Sequence, residues 1–211
     1  MAEAAGSIRG RRGYHHGDLR RALIRATLRQ IAAKGPHAFT LRESARMTGV
    51  THAASYRHFP GRAALLAAVA EQGFRMLKAS VLRSQSGSPN PLKRFQRAGI
   101  AYVRFAVLHP EYFRVMFGSE AAGARSASLQ RAKDEAFGLV VAGVEACVAR
   151  GDVRQGATRE IALTAWVAMH GLAALLVDRS PRLPRTRASQ EDLAGKVTEV
   201  LFEGMRTRGR R

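Results

Sequence analysis

The sequence predicts an all-α fold. Apolar residues recur at intervals of three and four along most of the chain, which is the spacing of an amphipathic helix. No segment shows the sustained alternation of apolar and polar residues that a half-buried strand needs. Clusters of glycine, proline and other turn residues separate the periodic segments. Together these signals predict about nine helices.

The helix starts are marked by N-cap residues. Asp18, Thr40 and Thr51 each precede a periodic segment, and Glu43 follows Thr40 at the spacing of a capping box. In the first helix, Thr27 and Gln30 share one face with apolar residues. The predicted spans are 18–34, 41–49, 51–59, 62–83, 92–108, 110–117, 126–150 and 158–179, with a last helix from residue 189 and a clear loop over 85–91.

The positive charge is concentrated near the N-terminus. The chain has a formal net charge of +19, and 30 of its 35 basic residues are arginine. Residues 1–68 carry 12 basic and 3 acidic side chains, whereas residues 69–211 carry 23 and 13. A small, densely basic segment is expected of a region that contacts a polyanion, and nucleic acid is the leading candidate.

The composition also indicates a cellular setting. A single cysteine excludes an internal disulfide framework and is typical of a reducing cytosol. The first residues contain no apolar core of a secretory signal. The longest apolar stretch, 161–177, is interrupted by Thr164 and His170 and is shorter than the roughly 20 residues of a membrane span. We therefore expect a cytoplasmic protein with no membrane partner.

Residues 41–59 have the pattern of a helix-turn-helix. Small Ala45 allows two short helices to cross closely, Gly49 takes the left-handed turn conformation, and Val50 fills the space between them. With Thr51 as N-cap, the first turn of the second helix presents the side chains that would meet base edges in a major groove, namely His52, Ala53 and Ala54.

This region resembles the DNA-binding region of the tetracycline-repressor (TetR) family. The resemblance covers residues 14–74 and includes the Gly-Val-Thr that opens the recognition helix, the Tyr-Arg-His-Phe that closes it, and a basic residue, Arg62, at the start of the fourth helix. It implies a homeodomain-like three-helix domain at 14–62, after a basic leader at 1–13, and a C-terminal helical bundle at 63–211.

The resemblance also implies the DNA contacts. Arg62 occupies the position of a lysine that contacts phosphate, His52, Ala53 and Ala54 would read bases, and Tyr56 and His58 would hold the backbone. Ser55 departs from the family, because many members have a larger apolar residue there. The full DNA-binding set is Thr40, Arg42, Thr51, His52, Ala53, Ala54, Tyr56, Arg57, His58 and Arg62.

Two segments of the C-terminal part resemble one TetR subgroup. Residues 165–176 contain its Trp-His-Gly element and residues 105–117 a second matching segment. Trp166 and His170 lie four apart, on one helix face, and Gly171 would permit a neighbouring helix to approach. The ligand-binding set is Tyr102, Phe105, Phe113, Met116, Phe117, Val144, Trp166 and His170; the alternative for these residues is ordinary packing in the core or at a dimer interface.

The resemblance implies a homodimer that binds a palindromic operator and releases it on binding a small-molecule effector. An apolar stripe on the last helix is expected to pair with the 158–179 helix and with both equivalents of a second copy. The predicted interface residues are Leu172, Leu176, Leu193, Val197, Val200 and Leu201.

The alternatives are an enzyme and a non-specific, charge-driven DNA-binding protein. No motif of a hydrolase, metalloprotease or nucleotide-binding loop is present, so no catalytic residue and no cofactor are expected. A metal site at His15 and His16 is disfavoured, since no further ligands lie at suitable spacing. The arginines at 9, 11 and 12 form either a solvated tail or an arm in the minor groove.

Overall fold

The computed structural model describes residues 16–119, 126–156 and 158–205, and it confirms the predicted all-α fold. No strand occurs within these ranges. Nine helices run along them: α1 (His16–Lys34), α2 (Leu41–Met47), α3 (His52–Tyr56), α4 (Arg62–Gln85), α5 (Pro91–Leu108), α6 (Pro110–Phe117), α7 (Ala127–Ala149), α8 (Thr158–Val177) and α9 (Arg187–Met205).

Two of the predicted helix starts were wrong. Helix α1 begins at His16, so Asp18 lies inside the helix and is not its N-cap. Helix α9 begins at Arg187, because Thr186 Oγ1 accepts a hydrogen bond from the Ser189 backbone N–H at 3.3 Å and so caps the helix earlier than expected. Both starts differ from the predicted ones by two residues, which is the usual uncertainty in the position of a helix end.

The turn between α2 and α3 has the geometry that the helix-turn-helix pattern predicts. Gly49 adopts φ +71°, in the left-handed region. The Val50 N–H donates to the Ala45 carbonyl and the Gly49 N–H to the Arg46 carbonyl, both at 3.1 Å. These two bonds form a Schellman motif, which satisfies carbonyls at the end of α2. Ala45 is buried and Val50 packs against the core, as predicted.

Helix α4 lies at the centre of the molecule. Its residues 65–71 are all buried. Seven consecutive residues make about two turns, so the helix is buried on every face over this length. It contacts α1 on one side and α5, α6 and α7 on the others. At Gly73 the approach of α6 is so close that a Cβ would lie 2.5 Å from Met116 Sδ. The predicted division between domains at residue 62 coincides with the start of α4 and stays a prediction.

The remaining helices form two apolar clusters. The larger one continues from Leu23 of α1 through α4 to Leu172 of α8. The smaller one joins α5, α7, α8 and α9 around Val144, Ile161 and Phe202. Residues of both clusters line one cavity in the C-terminal part of the chain.

Helix α8 is long and apolar enough to cross a membrane by length and composition, although the sequence suggested a shorter apolar stretch. The most apolar 18-residue window has a mean hydropathy of 1.7, and 44% of it is buried within the protein. The helix packs against α5, α7 and α9. A core helix of a soluble protein satisfies the same criteria, so one such helix is weak evidence of a membrane span.

The substitution Gly49→Ala is expected to destabilise the fold by about 1–2 kcal/mol, because a Cβ disfavours the left-handed conformation. Gly138→Ala is the matched control: it lies in α7, where a Cβ would meet nothing within 4 Å, and should be neutral or stabilising by up to about 1 kcal/mol. Chemical denaturation measures both. Equal stability of Gly49→Ala and the natural protein would contradict the assigned turn.

Candidate DNA-contacting surface and internal cavity

A buried polar network fixes α2 against α1. Thr27, Gln30 and Ser44 are almost completely inaccessible to solvent. Gln30 Nε2 donates to Ser44 Oγ at 2.8 Å, and the Thr27 and Ser44 hydroxyls lie 2.8 Å apart. The Gln30 side chain also accepts from the Thr40 N–H at 3.1 Å. Because unmet polar groups in a core are costly, this network favours one relative position of the two helices.

The predicted capping box at Thr40 is formed only in half. Thr40 Oγ1 accepts from the Glu43 N–H at 3.1 Å, as expected. The return bond from Glu43 to the Thr40 N–H is absent, because that N–H donates to Gln30. Arg46 instead holds the Glu43 carboxylate through two hydrogen bonds, of 2.7 and 2.8 Å, and lowers its pKa. Glu43 is therefore engaged within its own helix.

Helix α3 is anchored by its inner face and exposed on its outer face. Ser55 is buried and its hydroxyl donates to the His52 carbonyl at 2.6 Å, so the small residue at this position has its polar group satisfied. Phe59, just after the helix, is buried in the main core. Thr51 Oγ1 accepts from the Ala54 N–H at 3.2 Å, which confirms Thr51 as the N-cap.

The outer face of α3 presents the predicted DNA-contacting side chains to solvent. Tyr56 is 47% exposed, and its ring lies edge-on to the His52 ring with the centroids 4.8 Å apart. Thr40, Arg42, Thr51, His52, Ala53 and Arg57 are also exposed, whereas Ala54 and His58 are half-buried. Most of the predicted set is therefore accessible to a partner molecule.

Arg62 has a structural partner in addition to its predicted role. Its Nη2 donates to the Pro36 carbonyl at 2.6 Å and to the His37 carbonyl at 3.3 Å. Its guanidinium also lies over the Phe39 ring, 4.8 Å from the centroid. These contacts tie the first turn of α4 to the loop between α1 and α2.

The C-terminal helices enclose a cavity of about 590 Å³. This volume falls within the range of about 300–1,000 Å³ typical of small-molecule sites. The wall consists mainly of aromatic and aliphatic side chains from α4 to α9. They include Phe74, Leu77, Phe95, Tyr102, Met116, Phe117, Phe137, Trp166, Met169, Leu201, Phe202 and Met205.

His170 lies among aromatic rings close to this wall. Its Nδ1 is 2.8 Å from the Tyr102 hydroxyl, and its ring stacks on Trp166 with centroids 5.0 Å apart. Phe117 approaches edge-on at 4.5 Å. Burial lowers the pKa of His170 and raises that of Tyr102. A neutral imidazole hydrogen-bonded to a neutral phenol is thus the favoured state.

An apolar stripe on α8 is exposed. Val167 is 54% and Leu175 52% accessible, and on the neighbouring helix α9 Val200 is 70% accessible. Gly171 lies in the same stripe, and a Cβ there would meet nothing within 4 Å. No other described helix of this chain comes within 4 Å of that Cβ position, so the expectation that Gly171 permits a neighbouring helix to approach stays a prediction.

The chain matches two family models that together cover most of it. Residues 23–69 match the model described as bacterial regulatory proteins, tetR family. Residues 95–199 match the model of the tetracyclin repressor-like C-terminal domain.

The chain belongs to the tetR family of bacterial regulators.

Solved structures agree with this assignment. A Rhodococcus sp. RHA1 protein of unknown function is 31% identical, with 93% of this chain and 100% of that chain covered and a TM-score of 0.81. A tetR-family regulatory protein from Rhodococcus RHA1 is 19% identical over 90% and 98%, with a TM-score of 0.72. The regulator PfmR from Thermus thermophilus is 15% identical over 89% and 96%, with a TM-score of 0.68. No curated protein matches the sequence.

The protein is therefore a sequence-specific DNA-binding transcriptional regulator with a Trp-His-Gly type C-terminal domain. Members of the family are in general DNA-binding proteins and not enzymes. Within the described residues, no group of three or more His, Cys, Asp or Glu side chains could hold a metal ion. The basic leader at 1–13 and His15 lie outside the described residues, as does the side chain of His16.

The predicted ligand-binding set divides into two groups in this regulator. Tyr102, Met116, Phe117 and Trp166 line the cavity. The others do not line it: Phe105, Phe113 and Val144 are buried in the two apolar clusters, and His170 lies behind the wall.

Several cavity residues were missed from the sequence. Phe74, Leu77 and Phe95 look like ordinary core residues of α4 and α5, and Phe202 like part of a dimer stripe. A single sequence offers no signal that separates a wall residue from a core residue, because both are apolar at helical spacing.

The predicted dimer set also divides. Leu172 and Leu176 are buried inside the chain's own core. Leu201 lines the cavity, Leu193 and Val197 are half-buried, and Val200 is exposed. The apolar side chains of α8 that are exposed to solvent lie on the adjacent face of the helix, at Val167 and Leu175.

The pH dependence of stability tests the state of His170. Its pKa in the folded protein lies below the ordinary value of 6.5, so the unfolded chain binds more protons near that pH. The stabilisation is therefore present above about pH 6.5 and is lost as the pH falls below it. Between about pH 7.5 and pH 5.5, the denaturation midpoint should fall more for the natural protein than for His170→Gln.

Each protein is compared with itself across the pH range, so a uniform loss of stability caused by the substitution does not enter the comparison. If His170→Gln showed the same loss of stability on acidification as the natural protein, the neutral state assigned to the half-buried His170 imidazole would be contradicted.

Proposed function

We propose that this regulator binds a palindromic operator as a homodimer, represses transcription, and leaves the DNA when a small-molecule effector occupies the cavity. The observation that carries the proposal is the outer face of α3, which is capped, anchored from behind and open to solvent. Each copy would place one such helix in a major groove, and two-fold symmetry would give the operator its inverted repeat.

The residues of this surface divide into base readers and phosphate contacts. His52 and Arg42 carry the hydrogen-bonding groups that can read bases, and Ala53 and Ala54 can offer methyl contacts to thymine. Phosphates would be held by groups around them. These are Thr40, Thr51, Tyr56, Arg57, His58 and Arg62, of which Arg62 also holds the loop between α1 and α2.

The dimer would form through α8 and α9. Val167, Leu175 and Val200 present apolar area to solvent on two adjacent helices, and Gly171 leaves room there for a second backbone. Pairing this face with its symmetry equivalent makes a four-helix bundle and removes the apolar side chains from water. Leu193 and Val197 are half-buried on the same helix as Val200 and extend the contact.

The cavity is proposed as the effector site because its wall includes one face of α4. Phe74, Leu77 and Val81 contribute to that wall, and α4 begins at Arg62 beside the DNA-contacting surface. A ligand that favours one position of α4 would therefore change the spacing of the two α3 helices in a dimer. No cofactor is needed for this response, and we place the regulator in the cytoplasm, where the DNA lies.

Selection from a randomised DNA duplex library tests the DNA-binding part. We expect an enriched inverted repeat that the protein protects from cleavage at moderate salt. His52→Ala should reduce the free-energy difference between the preferred base pair and the other base pairs by about 1–3 kcal/mol at the position that His52 contacts. Arg57→Gln should weaken binding to all sequences. It should also reduce the slope of the logarithm of the binding constant against the logarithm of salt concentration by about 1, because one phosphate contact is lost.

The control is Arg131→Gln, which removes the same charge from an exposed position on α7 and should leave affinity and salt slope unchanged. Enrichment of no sequence, with affinity that collapses as salt rises, would instead support a non-specific, charge-driven DNA-binding protein.

The oligomeric state tests the proposed interface. Val167→Glu should convert a dimer into a monomer and weaken operator binding, because it buries a charge at an apolar contact. Leu82→Glu is the matched control, since Leu82 is 45% exposed and lies on α4, away from the stripe. Sedimentation velocity measures both variants, and a Val167→Glu dimer as stable as the natural one would rule out this interface.

A further inference from the structure

We propose that the cavity takes an amphipathic carboxylate, with the apolar body inside and the carboxylate at the mouth beside Lys133. This inference rests on the proposed effector role of the cavity and adds the chemical class of the effector. It follows from where polar groups occur along the wall and from which of them already have partners.

The interior of the cavity offers little to a polar ligand. The charged residues of its wall are Lys78, Lys133, Asp134 and Arg159, and all four are at least partly exposed. Deeper in the wall, the Tyr102 hydroxyl is engaged with His170 at 2.8 Å. The Thr198 hydroxyl donates to the Gly195 carbonyl at 2.6 Å. A ligand acceptor such as a carboxylate oxygen would find few free donors inside, so the carboxylate is disfavoured there and the part of the ligand that fills the interior is apolar.

The mouth has an excess of positive charge. The wall carries three cations and one carboxylate, Asp134, which accepts from Gln130 Nε2 at 2.9 Å. When Glu135 beside the wall is counted as well, the net charge is +1. Lys78 is paired with Glu135 at 2.9 Å. Arg159 lies over the Phe137 ring, 5.6 Å from its centroid, and both residues line the cavity. A ligand anion would therefore be attracted at the mouth and a ligand cation repelled.

Lys133 is the group that selects the carboxylate. It is half-buried in the wall of the mouth, and no acidic side chain of the described residues forms an ion pair with it. The apolar stem of a lysine can lie along such a wall while its ammonium stays at the water boundary. A carboxylate there gains a charge-assisted hydrogen bond without leaving water completely.

Fluorescence of Trp166 gives a direct readout of occupancy. It is the single tryptophan of the sequence and lines the cavity. Dodecanoate, dodecan-1-ol and dodecylamine, which share one apolar chain, are titrated below their aggregation limits. We expect dodecanoate to bind about tenfold more tightly than the alcohol, and the amine more weakly than either.

Substitutions at the mouth separate charge from shape. Lys133→Gln should weaken dodecanoate about tenfold and leave dodecan-1-ol unchanged. Lys93→Gln, at an exposed lysine of α5 outside the cavity, removes the same charge and should change neither. In parallel, dodecanoate should release the selected operator DNA from the natural protein.

Three outcomes would overturn the inference: the alcohol binding as tightly as the carboxylate, Lys133→Gln leaving dodecanoate binding unchanged, or no response of Trp166 to dodecanoate. The first two leave an effector cavity of another chemical class. A different result would contradict the proposed function instead, namely dodecanoate that binds selectively at Trp166 but does not alter the DNA complex.

Discussion

The complete burial of residues 65–71 in α4 is the constraint on which the rest of the structure depends. Residues 65–71 are enclosed on every side, so the helix cannot shift without moving α1 on one side and α5, α6 and α7 on the others. Close-packed interiors transmit such displacements because they cannot be compressed locally. Arg62 binds one end of α4 to the loop before α2, and Gly73 brings α6 into direct contact farther along.

The helix-turn-helix and the cavity differ in the way that they are stabilised. The helix-turn-helix is held by directional hydrogen bonds: the cap at Thr51, the turn at Gly49 and the polar network that joins Gln30 of α1 to α2. A hydrogen bond depends on angle as well as distance, so these bonds fix the orientation of α2 and α3 relative to each other and to α1. The cavity is held by non-directional apolar contacts of aromatic side chains, and those permit small rearrangements around a ligand.

The helix-turn-helix could be predicted almost completely because its determinants are adjacent in sequence. Thr40 and Thr51 each cap a helix by bonding to the residue three positions later, and Gly49 makes the turn between α2 and α3. The half-formed capping box shows the limit of this reasoning. The Thr40 N–H had two possible partners, and the one that bonds to it, Gln30, comes from another helix.

The helical class, the helix bounds to within about one turn and the N-cap of α3 follow from the amino-acid sequence, since periodicity and capping are local properties. The tertiary structure alone decided which apolar residues form a cavity wall, which are core and which face outward. Leu172 and Val167 have the same chemical character on one helix, and only the packing of α5 and α9 against that helix buries the first and exposes the second.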